Sequence, residues 1–300
     1  MANRHPWIFA GAIHSERGPE DAAFGELVDS EGQRIAAGFY SRYSQIRLRA
    51  LTFGDEELTA DLITARLRAA IARRAAIFDE ETNCARLVHA EGDDLSGLVI
   101  DRYNDLHVVE ISNRGVEQIK DLIVSTLDGR VFFKNALPVR ELEHLPTAED
   151  AVEPVDILES GLRFRVDPGG GQKTGFFLDQ RENRRLARTL SAGGRVLNLF
   201  SYTGAFGVYA AAGGATSVMN VDVSAAAIEM ARLNHSLNDL AADFAVADAF
   251  QWVRQHRQRY DFIVCDPPAF AKSRGEVERA ARGYKDINLH ALRMVEPAGR

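Results

Sequence analysis

Four apolar runs between residues 195 and 270 each end in a polar residue, where a parallel strand is expected to stop. The first three runs end at Asn198, Asp222 and Asp248. The fourth ends at Asp266. Ligands of open parallel sheets bind just outside the carboxyl ends of the strands. The sequence therefore predicts a ligand site at these four strand ends.

The turn after the first of these runs contains residues that could hold a small cofactor. Ser201 and Gly204 lie in this turn, and glycine lets a backbone approach a ligand closely. Asp222 follows Gly204 by eighteen residues, where a carboxylate can accept hydrogen bonds from ribose hydroxyls. We expect Asp248 to meet an adenine edge and Asn198 to complete the site. Together these residues indicate S-adenosylmethionine, although each aspartate alone could be a helix N-cap.

The glycine spacing argues against a dinucleotide cofactor. Residues 203–207 read T-G-A-F-G, whereas a dinucleotide site uses G-x-G-x-x-G to seat a pyrophosphate on a helix N-terminus. The sequence also offers no placed acid for hydride transfer. An NAD oxidoreductase is therefore a disfavoured alternative.

The fourth run leads into a segment that could bind a planar base. Pro267 and Pro268 fix the backbone and withhold hydrogen-bond donors, so they can form a rigid wall against a flat ring. Asp266 can accept a hydrogen bond from an exocyclic amine, and Phe270 can stack on the base. The alternative is a strand that is merely terminated by proline. Because the segment follows the predicted cofactor site, we favour a base pocket.

Cys265 is the one cysteine near this predicted pocket. Methyl transfer to carbon 5 of cytosine requires a thiolate to attack carbon 6 first. However, Cys265 alternates with Ile263 on an apolar strand, and buried cysteine usually acts as a small hydrophobic side chain. We favour the structural interpretation and keep the nucleophile as the alternative.

Composition predicts a soluble globular protein of the cytoplasm. Apolar residues make up 46% of the 300 residues and charged residues 26%. No apolar run approaches the ~20 residues that span a bilayer. Two distant cysteines without a C-x-x-C pair suit a reducing compartment. The eight histidines lack ligand spacing, so we expect no metal.

The charge distribution bears on nucleic-acid binding. A net charge of −7 argues against coating nucleic acid by bulk electrostatics. The segment Arg163–Arg195, however, holds eight basic and three acidic residues. Because this segment directly precedes the cofactor strand, we expect a local basic face rather than an ordinary solvated helix.

The chain divides by pattern into three parts. Residues 1–72 read as a small β-rich domain in which aromatic and basic residues interleave, and residues 73–157 as an α+β domain. Residues 158–300 alternate strand and helix, which is typical of a doubly wound α/β sheet. The turn signal over 296–300 should lead into another strand, so we infer that the natural protein continues and that this sheet lacks its last strands.

Several long motifs resemble the RlmI-like class I ribosomal RNA methyltransferases. The most specific is G-G-G-Q-K-T-G-F-F-L-D-Q-R-E-N-R at Gly169–Arg184, supported by V-C-D-P-P-A-F and A-R-G-Y-K-D-I-N. The segments H-P-W-I-F-A-G-A-I and G-F-Y-S-R-Y-S-Q-I-R-L-R are similar to that family's N-terminal PUA domain, an RNA-binding module. The resemblance covers nearly the whole chain and implies a Rossmann-like methyltransferase domain after a PUA-like and a central domain.

The resemblance also implies an activity and further site residues. The family transfers a methyl group from S-adenosylmethionine to carbon 5 of a cytosine in large-subunit ribosomal RNA. Its segment corresponding to Lys173–Arg181 lies over cofactor and substrate, which assigns Lys173 to catalysis, Gln180 to the cofactor and Arg181 to the substrate. The family's nucleophilic cysteine lies in a Ser-Cys-Ser motif, which is expected here just beyond Arg300.

Two alternatives to this chemistry stay open. One is methylation of a base nitrogen, in which Asp266 and its prolines polarise the amine and no cysteine is needed. The other is an RNA-binding protein that retains the cofactor without turnover. The expected partner is large-subunit ribosomal RNA in each case, with a second copy of the chain as an option.

Overall fold

The computed structural model describes residues 5–171, 174–271 and 273–300. Lys173, which the resemblance assigns to catalysis, lies outside the described residues. The three domains predicted above, 1–72, 73–157 and 158–300, stay a prediction.

By their contacts the described residues form two compact units. The first extends to Ile157 and includes Val166–Leu178, and the second comprises Leu158–Arg165 and Asp179–Arg300. Each unit is built around its own sheets.

The first unit begins with an antiparallel sheet of strand order β1-β4-β3-β2. Its strands are β1 Trp7–Phe9, β2 Phe24–Val28, β3 Arg34–Tyr40 and β4 Ile46–Phe53. The β-rich prediction for this part of the chain agrees with these four strands.

A second sheet follows, with strand order β5-β6-β7-β8 and a parallel pairing of β7 with β8. The elements are α1 Ala60–Arg73, β5 Cys84–His89, β6 Leu98–Tyr103, β7 Leu106–Ile111, α2 Arg114–Gln118, α3 Lys120–Ser125, β8 Arg130–Phe133 and α4 Pro138–Leu142. Helix α1 begins at Thr59, whose side chain accepts a hydrogen bond from the amide of Leu62. Helices α2 and α3 are short and meet at Ile119.

A hairpin that the sequence did not predict precedes the parallel sheet of the second unit. Strands β9 Val155–Glu159 and β10 Leu162–Val166 are joined by Ser160 and Gly161, which both have positive φ. Two such residues in a two-residue connection match the turn that fits the twist of a hairpin.

The second unit contains a four-stranded parallel sheet of order β13-β12-β11-β14. Its elements are α5 Arg181–Leu190, β11 Arg195–Leu199, α6 Ala205–Ala212, β12 Ser217–Asp222, α7 Ala225–Ser236, β13 Asp243–Val246, α8 Ala249–Gln255, β14 Phe262–Cys265 and α9 Val277–Arg293. The predicted α/β fold is confirmed.

Both faces of this sheet are covered. Val196 and Val218 pack with Ala210 of α6 on one face. Leu197 and Val221 form part of the cluster on the other, which also contains residues of α8 and α9. Because side chains alternate along a strand, this packing decides which strand residues can reach a ligand.

The chain passes along the edge of β14 after α9. The amide of Arg300 donates to the carbonyl of Asp261 at 2.9 Å, and the carbonyl of Arg300 accepts from the amide of Ile263 at 3.0 Å. This is the hydrogen-bond pattern of parallel strand pairing.

Candidate cofactor and base-binding site

The loop between β11 and α6 has an unusual backbone. Phe200, Tyr202 and Gly204 have φ of 56°, 46° and 77°, all in the left-handed region. For the two aromatic residues this conformation costs about 1–3 kcal/mol each, and it persists only where the surroundings enforce it. Such strain is concentrated at ligand-binding sites, which agrees with the site expected here.

Hydrogen bonds from neighbouring elements hold this loop. The amide of Ser201 donates to the carbonyl of Val221 at 3.0 Å, and the amide of Gly204 donates to the carbonyl of Ser201 at 2.9 Å. The amide of Tyr202 donates to Oδ2 of Asp222 at 2.8 Å. The loop is therefore fixed against the end of the neighbouring strand β12.

Two glycines lie close to neighbouring side chains, Gly204 in the loop and Gly207 in α6. A Cβ on Gly204 would lie 2.7 Å from Cβ of Ala231 on α7. A Cβ on Gly207 would lie 2.3 Å from Oδ1 of Asn220. These glycines let α6 sit close to α7 and to the sheet, a packing role that the sequence did not predict, and the contact of Gly204 with a cofactor stays a prediction.

Asp222 is the last residue of β12 and is half-buried. Besides the Tyr202 amide, its carboxylate accepts from the amide of Ser224 at 2.9 Å through Oδ1. A carboxylate offers about four acceptor positions, so each oxygen retains capacity for a ribose hydroxyl. Asp222 therefore both holds the loop and remains available to a ligand.

The hydroxyl of Ser201 is suited to a hydrogen bond with a bound ligand. Ser201 is 7% exposed, and its Oγ is buried without a hydrogen-bond partner among the described residues. An unpaired buried hydroxyl costs about 1–3 kcal/mol. A polar group bound at this loop would satisfy it, and a cofactor rich in hydroxyl and amine groups supplies such partners.

Asp248 lies two residues beyond the end of β13 and does not terminate the strand as expected. It is the N-cap of α8, and its side chain accepts from the amide of Gln251 at 2.9 Å. The residue is exposed, and its second oxygen has no partner among the described residues. Capping and adenine binding are therefore compatible roles, and the second stays a prediction.

Asn198 does not lie at an open strand end. The strand continues to Leu199, and the Asn198 side chain is 1% exposed. Its side-chain Nδ2 donates to Oδ1 of Asn220 at 2.9 Å, beneath the helices that cover the sheet. The expected position at an open strand end is therefore wrong, because the side chain points into a buried polar pair.

The segment after β14 is anchored by α9. The ring of Phe270 lies 4.5 Å from that of Tyr284 and 5.6 Å from that of Phe250. The amide of Phe270 donates to Oη of Tyr284 at 3.3 Å. This packing holds the residues between β14 and Phe270, a role for Tyr284 that the sequence analysis missed.

The predicted base-binding residues differ in exposure within this segment. Asp266 and Pro268 are exposed, whereas Pro267 is half-buried. The carboxylate of Asp266 has no hydrogen-bond partner or ion pair among the described residues, so it can accept from an amine. Phe270 shares its ring faces with two other aromatic rings, so stacking on a base stays a prediction.

Cys265 is unsuited to act as a nucleophile. Burial, followed by the neighbouring charge of Asp266, raises the pKa of its thiol to about 11. A thiol with that pKa is protonated at neutral pH, and only the thiolate attacks. The structural interpretation of Cys265 is therefore the better one.

Comparison with known proteins identifies the family. A profile described as S-adenosylmethionine-dependent methyltransferase matches residues 130–296, and one described as PUA-like domain matches residues 1–53. Proteins named ribosomal RNA large subunit methyltransferase I from Photobacterium profundum and Tolumonas auensis are each 40% identical to this chain, over 100% of it and 81% of their own length. The chain belongs to this methyltransferase family.

A solved structure supports the cofactor of the family. The crystal structure of a candidate methyltransferase complexed with SAH (S-adenosylhomocysteine) is 26% identical, has a TM-score of 0.80 and covers 99% of this chain and 80% of its own. S-adenosylmethionine is thus the cofactor, as predicted. Ser201 and Asp222 are the residues of this methyltransferase whose geometry best suits it.

The segment that is most specific to the family is partly described. Oε1 of Gln180 accepts a hydrogen bond from Nδ2 of Asn183 at 2.7 Å. Nε of Arg181 lies 3.5 Å from Oε2 of Glu159. Their contacts with cofactor and substrate stay predictions, as does the role of Lys173 outside the described residues.

Several basic residues of the segment Arg163–Arg195 have acidic partners. Arg184 forms a buried bidentate pair with Glu159, and Arg185 and Arg195 also have carboxylate partners. Lys173 lies outside the described residues, so the local basic face expected for this segment stays a prediction.

The described residues also bear on metal binding and membrane insertion. No group of three or more potential metal ligands occurs in residues 5–171, 174–271 and 273–300. Within the same residues no helix is long and apolar enough to cross a membrane. The absence of a metal stays a prediction.

Proposed function

We propose that this protein transfers the methyl group of S-adenosylmethionine to carbon 5 of a cytosine in large-subunit ribosomal RNA. The observation that carries the proposal is the 40% identity, over the whole chain, to proteins named ribosomal RNA large subunit methyltransferase I. The choice of cytosine carbon 5 rests on the resemblance of the sequence motifs.

The residues at the strand ends have separate roles in this reaction. Ser201 and Asp222 hold the cofactor, and Asp248 receives its adenine edge. When bound, S-adenosylmethionine supplies an electrophilic methyl group. Asp266 accepts a hydrogen bond from the exocyclic amine of the cytosine, and Pro267 limits the plane in which the base can lie. The target base must leave its stack to reach this position.

Carbon 5 chemistry also needs a thiolate, and Cys265 does not supply it. The Ser-Cys-Ser nucleophile that the resemblance implies stays a prediction. Base-nitrogen methylation needs no such thiolate, and the unpartnered carboxylate of Asp266 would suit it equally.

The remaining partners follow from this substrate. We infer that the PUA-like residues 1–53 contribute to RNA binding and that the protein works in the cytoplasm with ribosomal RNA. A homodimer stays a prediction, and light scattering of the full-length protein at micromolar concentration tests it.

The decisive experiment identifies the methylated nucleoside. Full-length protein is incubated with labelled S-adenosylmethionine and unmodified large-subunit RNA, and the RNA is digested to nucleosides. Label in 5-methylcytosine supports the proposal. Label in a methylated guanine or adenine replaces it with base-nitrogen chemistry, and cofactor binding without labelled RNA replaces it with the RNA-binding alternative. The Asp266→Asn variant should lose most of the label and retain cofactor affinity.

A further inference from the structure

Helix α7 presents two residues to the loop between β11 and α6. Ala231 contacts Gly204, and Asn234 lies three residues later on the same face. Asn234 is fully buried, with 0% of its surface exposed. Its Nδ2 donates to the carbonyl of Thr203 at 2.9 Å.

The other end of the Asn234 amide is also engaged. Its Oδ1 accepts a hydrogen bond from the amide of Arg165 in β10 at 2.8 Å. The two backbone partners fix the orientation of the side chain, because one must receive a hydrogen and the other must give one. Asn234 therefore connects β10 to the loop between β11 and α6.

We propose that Asn234 is a positioning residue for the cofactor. By holding the Thr203 carbonyl it fixes the loop conformation in which the Ser201 hydroxyl is presented to the ligand. The inference rests on the proposed placement of S-adenosylmethionine at this loop. It goes further by assigning cofactor affinity to a side chain that does not touch the cofactor.

The loop requires such support at this point. Thr203 lies between Tyr202 and Gly204, which both have positive φ, and the left-handed tyrosine is intrinsically unfavourable. The Tyr202 amide is held by Asp222, whereas the Thr203 carbonyl is held by Asn234. Without this second contact the peptide after Thr203 would keep the hydrogen bond of its Gly204 amide to the Ser201 carbonyl but lose its attachment to α7, so the loop could shift and carry the Ser201 side chain with it.

Asn238, two residues beyond the end of α7, provides a matched control. It also bonds β10, accepting from the amide of Arg163 at 2.9 Å and donating to the carbonyl of Arg163 at 2.8 Å. Its further hydrogen bond goes to the carbonyl of Asn234, and it has none to the loop among the described residues. Removing Asn238 therefore weakens the attachment of β10 without releasing Thr203.

The test is the dissociation constant of S-adenosylmethionine, measured by calorimetry on full-length variants. Asn234→Ala should raise it about tenfold, the usual effect of losing one hydrogen bond that supports a site, and Asn238→Ala should change it less than twofold. At saturating cofactor Asn234→Ala should reach most of the kcat of the native protein, because the substitution mainly raises the KM for the cofactor. If Asn234→Ala does not fold, Asn234→Asp replaces it, since it keeps the volume and the acceptor but has no N–H for Thr203.

Four outcomes decide between these possibilities. Equal affinities for Asn234→Ala and Asn238→Ala overturn the inference. So does a loss of kcat at saturating cofactor with unchanged KM, which indicates a smaller folded fraction. If Asp222→Asn also leaves the dissociation constant unchanged, the proposed cofactor site is itself wrong. If Asp222→Asn weakens binding and Asn234→Ala does not, only the positioning role fails.

Discussion

The backbone amide of Tyr202 donates a hydrogen bond of 2.8 Å to Oδ2 of Asp222. The carboxylate that the sequence assigns to a ribose therefore also holds the loop that faces the ligand. We therefore expect Asp222 to combine cofactor binding with support of the loop, which would make it sensitive to loss of a single acceptor.

We expect Asp222→Asn to weaken S-adenosylmethionine binding about ten- to a hundredfold. The substitution replaces one acceptor oxygen with a donor, so the amide of Tyr202 or of Ser224 loses its partner. Calorimetric titration measures the effect. Asp239→Asn is the control, because Asp239 is exposed, makes the same change in charge and has a left-handed φ that asparagine tolerates. A similar loss of affinity in both variants would argue for a nonspecific charge effect.

Ser201→Ala should separate stability from binding. Removing a buried hydroxyl that lacks a partner should leave the melting temperature unchanged or higher, while the affinity for the cofactor falls. Ser191→Ala is the matched control, since the buried Ser191 hydroxyl donates to the carbonyl of Ala187 at 2.6 Å. It should lose about 1 kcal/mol of stability and bind normally. A destabilised Ser201→Ala with normal affinity contradicts the cofactor role of Ser201.

Cys265→Ala should retain methyl transfer. Burial and the charge of Asp266 raise the thiol pKa to about 11, so about one molecule in a thousand carries a thiolate at pH 8. The native thiol should therefore react slowly with iodoacetamide at pH 8 compared with the urea-unfolded chain. Single-turnover kinetics measure the activity, and a rate that falls several thousandfold in the folded variant would make Cys265 the nucleophile after all.

Stability should depend on pH through His235. Burial lowers the pKa of its imidazole from 6.5 to about 4, and the ring lies 3.3 Å from Nδ2 of the buried Asn220. The folded state therefore favours the neutral ring. The resulting contribution of His235 to the free energy of unfolding is fully present above pH 6.5 and is lost as the pH falls from 6.5 towards 4. The loss amounts to about 3 kcal/mol. Urea unfolding of the native protein and of His235→Gln at pH 7 and 4.5 isolates the contribution, and equal pH slopes would show that His235 titrates normally.

Tyr284→Ala should reduce methyl transfer without affecting cofactor affinity. Its ring and hydroxyl hold Phe270, so the segment with Asp266 should lose its fixed position, and such displacement costs about ten- to a hundredfold in rate. Leu292→Ala on the same helix is the control, because Leu292 is 70% exposed. Tyr284→Phe should fall between them. An unchanged kcat in Tyr284→Ala would remove the positioning role of Tyr284.

Regular elements were predictable because their signals are local. Apolar runs of four to six residues separated by helix-length segments predict a doubly wound sheet, and the turn after β11 was found from its glycines. The role of those glycines was not predictable, since it depends on Ala231 and Asn220, which are distant in sequence. Asn198 was misplaced for a related reason: its polar partner Asn220 lies on the neighbouring strand.

The sequence by itself determined the α/β class, the family motifs, the choice of cofactor and the carboxylates at the strand ends, because periodicity, turn residues and motif spacing are properties of the linear chain. Only the tertiary structure decided which polar groups are already satisfied. The pairing of Asn198, the unpartnered hydroxyl of Ser201 and the bridge from Asn234 to Thr203 each depend on groups brought together by folding. Hydrogen bonds act over about 3 Å, so their partners become known only when strands and helices are packed.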